Sequence, residues 1–268
     1  MEPFFPSTRA SIPGRFSPDG SQVAFTSNRG STNWNLWIAD IEGSDPLQMA
    51  EVGLNSELLA YAWSPDGKKI LLESAANGDR DVYVVSLEEE RPVRLTNSPV
   101  LEGAAEWSRD GRWIYFTAMT SETSSDIWRM PATGGDAEEF IAGGFEPQES
   151  PDGEFLYYVD RVPKGRPLRL LRIPTSGGEA EIVHQTVRAF QWSVTNIGIY
   201  FLQDEDYGHS ILLYHFADGH ISRIGSLPFY LPSVDYPGRF SVSPDGHWAL
   251  VNVKDEPEGD LMFVDDFH

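Results

Sequence analysis

The sequence predicts an all-β fold: a six-bladed β-propeller with four antiparallel strands per blade. Two observations carry this prediction. A Ser-Pro-Asp-Gly turn recurs along the chain, and the same series of short apolar strands follows each copy. The copies begin at regular intervals of about 42 to 50 residues, a period typical of radially repeated units. Their first residues are Ser17, Ser64, Ser108, Ser150, Ser193 and Ser243.

The residues of this turn have separate physical roles. Pro presets φ, the Ser hydroxyl and Asp carboxylate bond nearby backbone amides, and Gly accepts the positive φ that closes the hairpin. The third copy has Arg109 in place of Pro, and the fifth is a degraded Ser193-Val194-Thr195-Asn196, in which we expect Asn196 to replace Gly. The repeated Asp residues could form a ring of ligands, but their position before Gly in a tight hairpin favours a turn-stabilising role.

The strands between the turns indicate how the ring closes. A second strand such as Val23-Ala24-Phe25, a third such as Leu36-Trp37-Ile38 and a thin fourth such as Pro92–Leu95 follow each turn. The chain ends after the third strand of its last repeat, whereas Pro3–Thr8 resembles a fourth strand. We therefore expect the N-terminal strand to complete the last blade, which hides the edges and favours a propeller over a capped solenoid. This predicts a single domain over residues 1–268.

Composition narrows the partners of the chain. It has 268 residues, no Cys and a formal net charge of −21, so disulfides and thiolate metal sites are excluded and nucleic-acid phosphates are repelled. No apolar run is long enough to span a membrane. The first residues do not resemble a signal peptide, so we expect a cytoplasmic protein as encoded, or a periplasmic one if a signal or anchor was removed. The expected partner is a protein or peptide, the charge favours a basic one, and the domain is expected to be monomeric.

The repeats resemble a known family. Arg15–Gly30, continued by Asn35-Leu36-Trp37, is similar to the WD40-like PD40 repeat of TolB-like six-bladed propellers, and the resemblance covers essentially the whole chain. It implies the fold, while the same propeller accompanies prolyl oligopeptidase-type peptidases, tricorn-like proteases, the TolB partner of an outer-membrane lipoprotein, and bacterial regulators. The ending Asp260–Phe267 is most similar to the regulators, in which the propeller is the C-terminal module.

Strand parity predicts where a ligand would bind. The Ser-Pro-Asp-Gly turns share one uniform end, which we expect to be structural. The inter-blade segments and the second-to-third-strand loops share the opposite, variable end, which we expect to carry binding. Two groups of side chains are expected to line the central channel, one at the variable end and one nearer the turns. Segments entering the inner strands supply Arg9, Glu57, Glu102, Glu146, Arg188, Asp235 and Arg239, and the position two before the turn Ser supplies Arg15, Glu106, Gln148 and Gln191.

Motifs for catalysis are not evident in the sequence. It has no G-x-S-x-G nucleophile elbow, and only two histidines, His184 and His209, are expected near the variable end. The Asp204/Asp206/Gly208 spacing is like that of a calcium loop, but His215 stands where an EF-hand has Glu. The sequence favours a non-enzymatic binding scaffold for a protein, peptide or ligand, without catalytic residues, protein metal ligands or cofactor. The alternative is a metal-assisted propeller enzyme of the lyase or lactonase type, with a divalent cation in the channel.

Overall fold

The computed structural model describes residues 2–3, 11–29, 33–44, 46–51, 58–77, 79–89, 91–121, 124–160, 167–229, 239–255 and 258–265. Within these ranges the chain forms β-strands and turns but no α-helix, and accordingly none of the described segments is a helix that could cross a membrane. The all-β prediction is therefore confirmed.

The strands form six antiparallel sheets of four strands each, which are the blades. Blade 1 contains β2 (Ser11–Phe16), β3 (Gln22–Ser27), β4 (Asn35–Asp40) and β5 (Leu47–Glu51). Blade 2 contains β6 (Leu58–Trp63), β7 (Lys69–Asn77), β8 (Asp79–Ser86) and β9 (Pro92–Arg94). Blade 3 contains β10 (Leu101–Trp107), β11 (Trp113–Ser121), β12 (Ser124–Pro131) and β13 (Glu138–Ile141).

The second half of the chain repeats this order. Blade 4 contains β14 (Gly144–Glu149), β15 (Phe155–Asp160), β16 (Leu168–Pro174) and β17 (Glu181–Val187). Blade 5 contains β18 (Trp192–Val194), β19 (Gly198–Asp204), β20 (His209–His215) and β21 (Ile221–Leu227). Blade 6 contains β22 (Phe240–Val242), β23 (Trp248–Asp255) and β24 (Glu258–Asp265), together with β1 (Glu2–Pro3).

Closure of the ring follows the predicted scheme. Five blades are built from consecutive strands, whereas blade 6 takes its outer strand from the start of the chain. Glu2 pairs with Phe263 and Pro3 with Met262 in antiparallel register. The two ends of the described chain therefore pair in one sheet, and this pairing closes the ring.

The hydrophobic core lies between neighbouring blades. In β7, Ile70 and Leu72 pack in one cluster with Leu36 of blade 1, while Leu71 packs in another cluster with Phe116 of blade 3. Successive side chains of a strand point to opposite faces of its sheet. A continuous apolar run is therefore what a blade covered on both faces requires.

The Ser-Pro-Asp-Gly turns share one hydrogen-bond network. The Ser17 hydroxyl donates to Asp19 Oδ1 (2.6 Å) and accepts the Gln22 amide (3.0 Å), while Asp19 Oδ1 also accepts the Ser21 amide (3.0 Å). Gly20 has φ of +74°, as the turn requires of Gly. These bonds hold the pKa of Asp19 below its usual range. Because the same Ser–Asp bond recurs at Ser64, Ser108, Ser150 and Ser243, the turn-stabilising role of these aspartates is confirmed.

The fifth turn differs from its prediction by two residues. Val194 pairs with Ile199 as Phe16 pairs with Val23, so Thr195 and not Ser193 occupies the first turn position. The turn is shorter than the others, since the Thr195 amide donates to the Gly198 carbonyl at 2.9 Å. Asn196 does not adopt a positive φ, and the expectation that it replaces a left-handed Gly is wrong.

Two departures from the repeat compensate each other. Arg109 replaces the turn Pro of blade 3 and so has a backbone N–H, which donates to the Glu149 carboxylate of blade 4. The other Glu149 oxygen accepts the Tyr115 hydroxyl (3.3 Å), and burial raises the pKa of Glu149 despite these bonds. The residue equivalent to Glu149 is apolar in the other five blades, namely Phe16, Trp63, Trp107, Val194 and Val242.

We predict that Arg109 and Glu149 are energetically coupled. Arg109→Pro leaves a buried carboxylate without its N–H donor and should cost about 1–3 kcal/mol of stability. Glu149→Val leaves the N–H without an acceptor and should cost a similar amount. The double variant restores the Pro and apolar pairing of the other turns, so its cost should be smaller than the sum by about 0.5–3 kcal/mol. Urea unfolding of the four proteins measures this, and additive costs would show that the two residues are independent.

Candidate functional site

A cavity of about 110 Å³ lies on the propeller axis, where the inner strands of all six blades enter their turns. We call it the turn-end cavity. Its innermost ring is formed by the residue two before the first turn position of each blade. These residues are Arg15, Ala62, Glu106, Gln148, Ser193 and Ser241.

Two further layers extend the turn-end cavity outward. The residues that follow the ring, from Phe16 in blade 1 to Val242 in blade 6, form largely apolar walls with Glu149 as the exception. Residues of the turns surround the mouth, and they are Ser17, Pro18, Pro65, Arg109, Thr195, Asn196 and Pro244. The cavity therefore lies at the end of the propeller for which the sequence predicted a structural role.

Arg15 is the central cation of the ring. Its Nη1 donates to Gln148 Oε1 (3.0 Å) and Ser193 Oγ (3.4 Å), both of which are uncharged. The same Gln148 oxygen accepts the Val194 amide (3.0 Å), and the Ser193 hydroxyl accepts the Val242 amide (3.2 Å). Burial lowers the pKa of Arg15. The guanidinium is thus held by a network spanning blades 1, 4, 5 and 6.

Glu106 is the acid of the same ring. Its Oε1 accepts the backbone N–H of Trp107 (3.2 Å). Burial raises the pKa of Glu106 to about 7, although the charges of Arg15 and Arg109 oppose the shift. Glu106 and Arg15 interact electrostatically but form no direct ion pair. Each therefore keeps hydrogen-bonding capacity toward the turn-end cavity.

A second cavity, of about 20 Å³, lies deeper along the axis. We call it the inner cavity. It shares Arg15, Glu106 and Gln148 with the turn-end cavity and adds Glu146 and Arg239. Its volume is that of about one buried water.

Bulges in the inner strands place residues around the inner cavity. The register of β10 against β11 shifts between Gly103 and Glu106, and that of β14 against β15 shifts between Phe145 and Gln148. A bulge adds an unpaired residue and redirects the side chains beside it. Ala104 and Glu146 lie in these bulges with positive φ values of 46° and 56°, and Phe190, just before β18, has a φ of 60°. Left-handed non-Gly residues are unfavourable and concentrate at functional sites.

Glu146 is fixed by its neighbours in blades 3 and 5. Its amide donates to Thr117 Oγ1 (3.1 Å), and its Oε2 accepts the Phe190 amide and the Trp192 indole N–H, both at 2.8 Å. Its Oε1 has no hydrogen-bond partner in the described part of the chain, and the residue is only 5% exposed. Burial raises the pKa of Glu146 to about 7, with these two bonds, Arg239 and Arg15 opposing the shift.

The structure brings five of the predicted site residues together and separates others from them. Arg15, Glu106 and Gln148 line both cavities, and Glu146 and Arg239 line the inner one. A role in ligand binding stays a prediction for each. Arg9, Glu57 and Asp235 lie outside the described residues.

Three predicted residues do not line either cavity. Glu102 is buried beside Asp81, Arg94 and Thr96, away from the axis, where burial raises its pKa. Arg188 lies after β17 and forms an ion pair with Asp204 (2.7 Å). Both were expected in the channel because they stand near the start of inner strands, but the segments before β10 and β18 place them outside both cavities.

Gln191 is also outside the predicted ring. The shorter fifth turn shifts the register of its blade by two residues, so Ser193 takes the ring position that the sequence assigned to Gln191. The hairpin spacing of Thr195 and Gly198 was the available signal. Arg109 and Glu149, which line the turn-end cavity, were not among the predicted site residues. Their signal was the joint loss of Pro and of the apolar residue.

The described residues bring together no group of three or more His, Asp or Glu side chains suited to a metal ion. The predicted variable end includes residues 4–10, 52–57, 161–166 and 230–238, which are not among those described. Binding at that end, and a divalent cation in the channel, stay predictions.

Comparison with known proteins identifies the family. The PD40 family, described as the TolB beta propeller domain, matches residues 4–224. The chain belongs to this family. An uncharacterized protein of Agrobacterium fabrum is 26% identical to it over 174 residues, which are 62% of this chain and 58% of that protein. The chain thus spans less than two thirds of that relative.

Two solved structures share the propeller fold of this TolB-like chain. TolB from Acinetobacter baumannii has a TM-score of 0.74 at 18% identity, covering 92% of this chain and 62% of that one. An oligogalacturonate lyase in complex with manganese has a TM-score of 0.65 at 11% identity, covering 98% of this chain and 92% of that one. At these identities the likeness shows the fold alone.

We predict that Glu106→Gln changes the pH dependence of stability. A carboxyl whose pKa is raised by folding stabilises the protein below its unfolded pKa, near 4.5, and this contribution is lost as pH rises through about 7. The stability of Glu106→Gln minus that of the parent should therefore increase between pH 4.5 and 7.5, by on the order of 2 kcal/mol. Urea unfolding across this range measures the difference, with exposed Glu179→Gln as the control. A flat difference for Glu106→Gln would show that its carboxyl is well solvated.

Proposed function

We propose that this chain is a non-enzymatic binding module whose central channel receives a polar segment of a protein or peptide partner, or a small polar ligand. The observation that carries the proposal is the ring of the turn-end cavity. Each blade contributes one residue at the same level, and only Ala62 of the six is apolar. A concave site with a few converging polar groups in apolar walls is the usual form of a binding pocket.

The rigidity of the ring supports this function. Each ring residue lies two positions before a turn, and the Ser–Asp bonds of that turn anchor its strand in blades 1 to 4 and 6. A site built on strands whose ends are fixed is preorganised, so little conformational entropy is lost on binding. The channel can therefore select a ligand by its charges without rearranging.

The charge of the chain favours a partner with basic groups. A net charge of −21 attracts cationic surfaces over distances of about a Debye length and repels nucleic acids. The fold similarity to TolB supports a scaffold role. We extend the proposal to the variable end of the channel, where Arg9, Glu57, Arg188 and Asp235 would contact the partner outside the described cavities. In this proposal residues 1–268 act as one monomeric domain.

The metal-assisted alternative keeps one line of support, the fold similarity to an oligogalacturonate lyase. In this chain its ligands would have to include residues such as Glu57 and Asp235, which lie outside the described ranges. The binding function is preferred because it uses the side chains that the structure brings together.

We predict that peptides selected for binding to the chain depend on Arg15. A random heptapeptide display library, selected on the immobilised protein, should yield binders whose affinity falls at least tenfold for Arg15→Gln, since a charge-assisted hydrogen bond contributes about 1.5–3 kcal/mol. The control is Arg223→Gln, which removes an exposed guanidinium from the outer strand β21 and should leave affinity unchanged. Isothermal titration of the selected peptides measures both. Binders that are insensitive to Arg15→Gln, or a selection without enrichment, would contradict a channel site.

A further inference from the structure

We propose that the turn-end cavity binds a free α-amino acid, with the ligand carboxylate on Arg15 and its ammonium group on Glu106. The proposal deepens the proposed function, on which it rests, by naming the ligand class and the end of the channel that holds it. It follows from the charges of the ring, from unused hydrogen-bonding groups, from the size of the cavity and from the net charge of the chain.

The first step is the state of the Arg15 guanidinium. Its two bonds, to Gln148 and Ser193, involve neutral acceptors and use only Nη1. Among the described residues, no carboxylate comes within ion-pair distance of it, and Nε and Nη2 make no hydrogen bond. Burying a cation without an adjacent anion is unfavourable. A ligand carboxylate would supply this anion and could accept two parallel N–H bonds, the geometry that guanidinium favours.

The second step is the state of the Glu106 carboxylate, which stands in blade 3, one blade apart from Arg15 of blade 1. Glu106 accepts a single hydrogen bond, from the neighbouring Trp107 amide, and no described side chain donates to its other oxygen. An ammonium group placed against it would complete the missing ion pair and favour the charged form of this carboxyl. Arg15 and Glu106 line the same cavity without pairing to each other, so the ring presents a separated cation and anion.

A buried hydroxyl gives independent support for a ligand here. Ser241 lines the turn-end cavity and is 2% exposed, and its Oγ has no hydrogen-bond partner among the described residues. Buried polar atoms are nearly always satisfied. Ser241 stands in blade 6, next to Arg15 of blade 1 in the ring. It is therefore a third group that a bound carboxylate or ammonium could reach.

Cavity size limits the ligand. A buried water occupies about 10–15 Å³ of such space, so a volume of about 110 Å³ has room for roughly ten non-hydrogen atoms. Many free amino acids are of this size. The apolar walls formed by Trp63, Trp107 and Val242 offer contact to an aliphatic or aromatic side chain.

Net charge decides between a zwitterion and a simple anion. The chain carries −21 charges, and this field opposes the approach of any ligand with net negative charge. A simple cation would meet the uncompensated Arg15. An α-amino acid is neutral overall, and it still provides a carboxylate for Arg15 and an ammonium group for Glu106.

The test is a thermal-shift screen of the full chain against the twenty proteinogenic L-amino acids. Each amino acid that shifts the melting temperature is then measured by isothermal titration. We expect at least one amino acid to bind and to raise the melting temperature. Its N-acetyl derivative, which lacks the ammonium group, and its α-amide, which lacks the carboxylate, should each bind at least tenfold more weakly.

Variants assign the two contacts. Arg15→Gln and Glu106→Gln should each weaken binding of the amino acid at least tenfold, and Arg223→Gln and Glu179→Gln should not change it. Ser241→Ala, a smaller change that tests the site if either charge variant fails to fold, should weaken binding several-fold. Hits that bind these variants and the parent equally would overturn the proposal.

The outcomes also separate this proposal from the proposed function. If no amino acid binds at 10 mM, while selected peptides still require Arg15, the amino-acid site is refuted and the binding module stands. If an amino acid binds and its amide and N-acetyl forms bind equally well, the charge assignment is refuted. If neither amino acids nor peptides bind, both proposals fail.

Discussion

Six inner strands meet on one axis, and this convergence is the constraint on which the polar interior depends. Each blade is covered on both faces by its neighbours, so its alternating side chains are apolar on both sides, as Leu71 and Leu72 show. At the axis, five polar side chains and Ala62 stand at one level. Each charge there therefore acts on the others in a low dielectric.

The turns make this crowding tolerable because they fix where each inner strand ends. The Ser17–Asp19 bond and its four counterparts lie within single hairpins and need no tertiary partner. In blade 3, where Arg109 replaces the turn Pro, a bond across the blade interface is added: the Arg109 N–H donates to the Glu149 carboxylate. This substitution also brings a cation and an acid to the lining of the turn-end cavity.

Much of the fold could be predicted from the sequence because its signals are local. Turn spacing counts the blades, and a fourth strand missing at one end but present at the other predicts closure. The same spacing locates Arg15, Glu106 and Gln148, which stand two residues before regular turns. It fails for Gln191, because the connection between Thr195 and Gly198 is shorter and shifts the register.

The remaining site residues depend on non-local geometry. The bulges that turn Glu146 toward the axis arise from pairing with β15 and from contacts with Phe190 and Trp192 in the next blade. Nothing in residues 144–149 alone indicates them. Glu102 and Arg188 also stand near the start of an inner strand, but they interact with residues outside the two cavities.

The electrostatics of the ring connect burial with selectivity. In water, Arg15 and Glu106 would each be well solvated and would discriminate little among ligands. In the cavity, burial lowers the pKa of Arg15 and raises that of Glu106. Both groups are desolvated, and they form no direct ion pair with each other. A ligand that satisfies only one of them leaves the other uncompensated. The desolvation of Arg15 and Glu106 is costly without a partner for each, and it therefore favours a ligand that carries two opposite charges. The negative net charge of the chain opposes the binding of a simple anion.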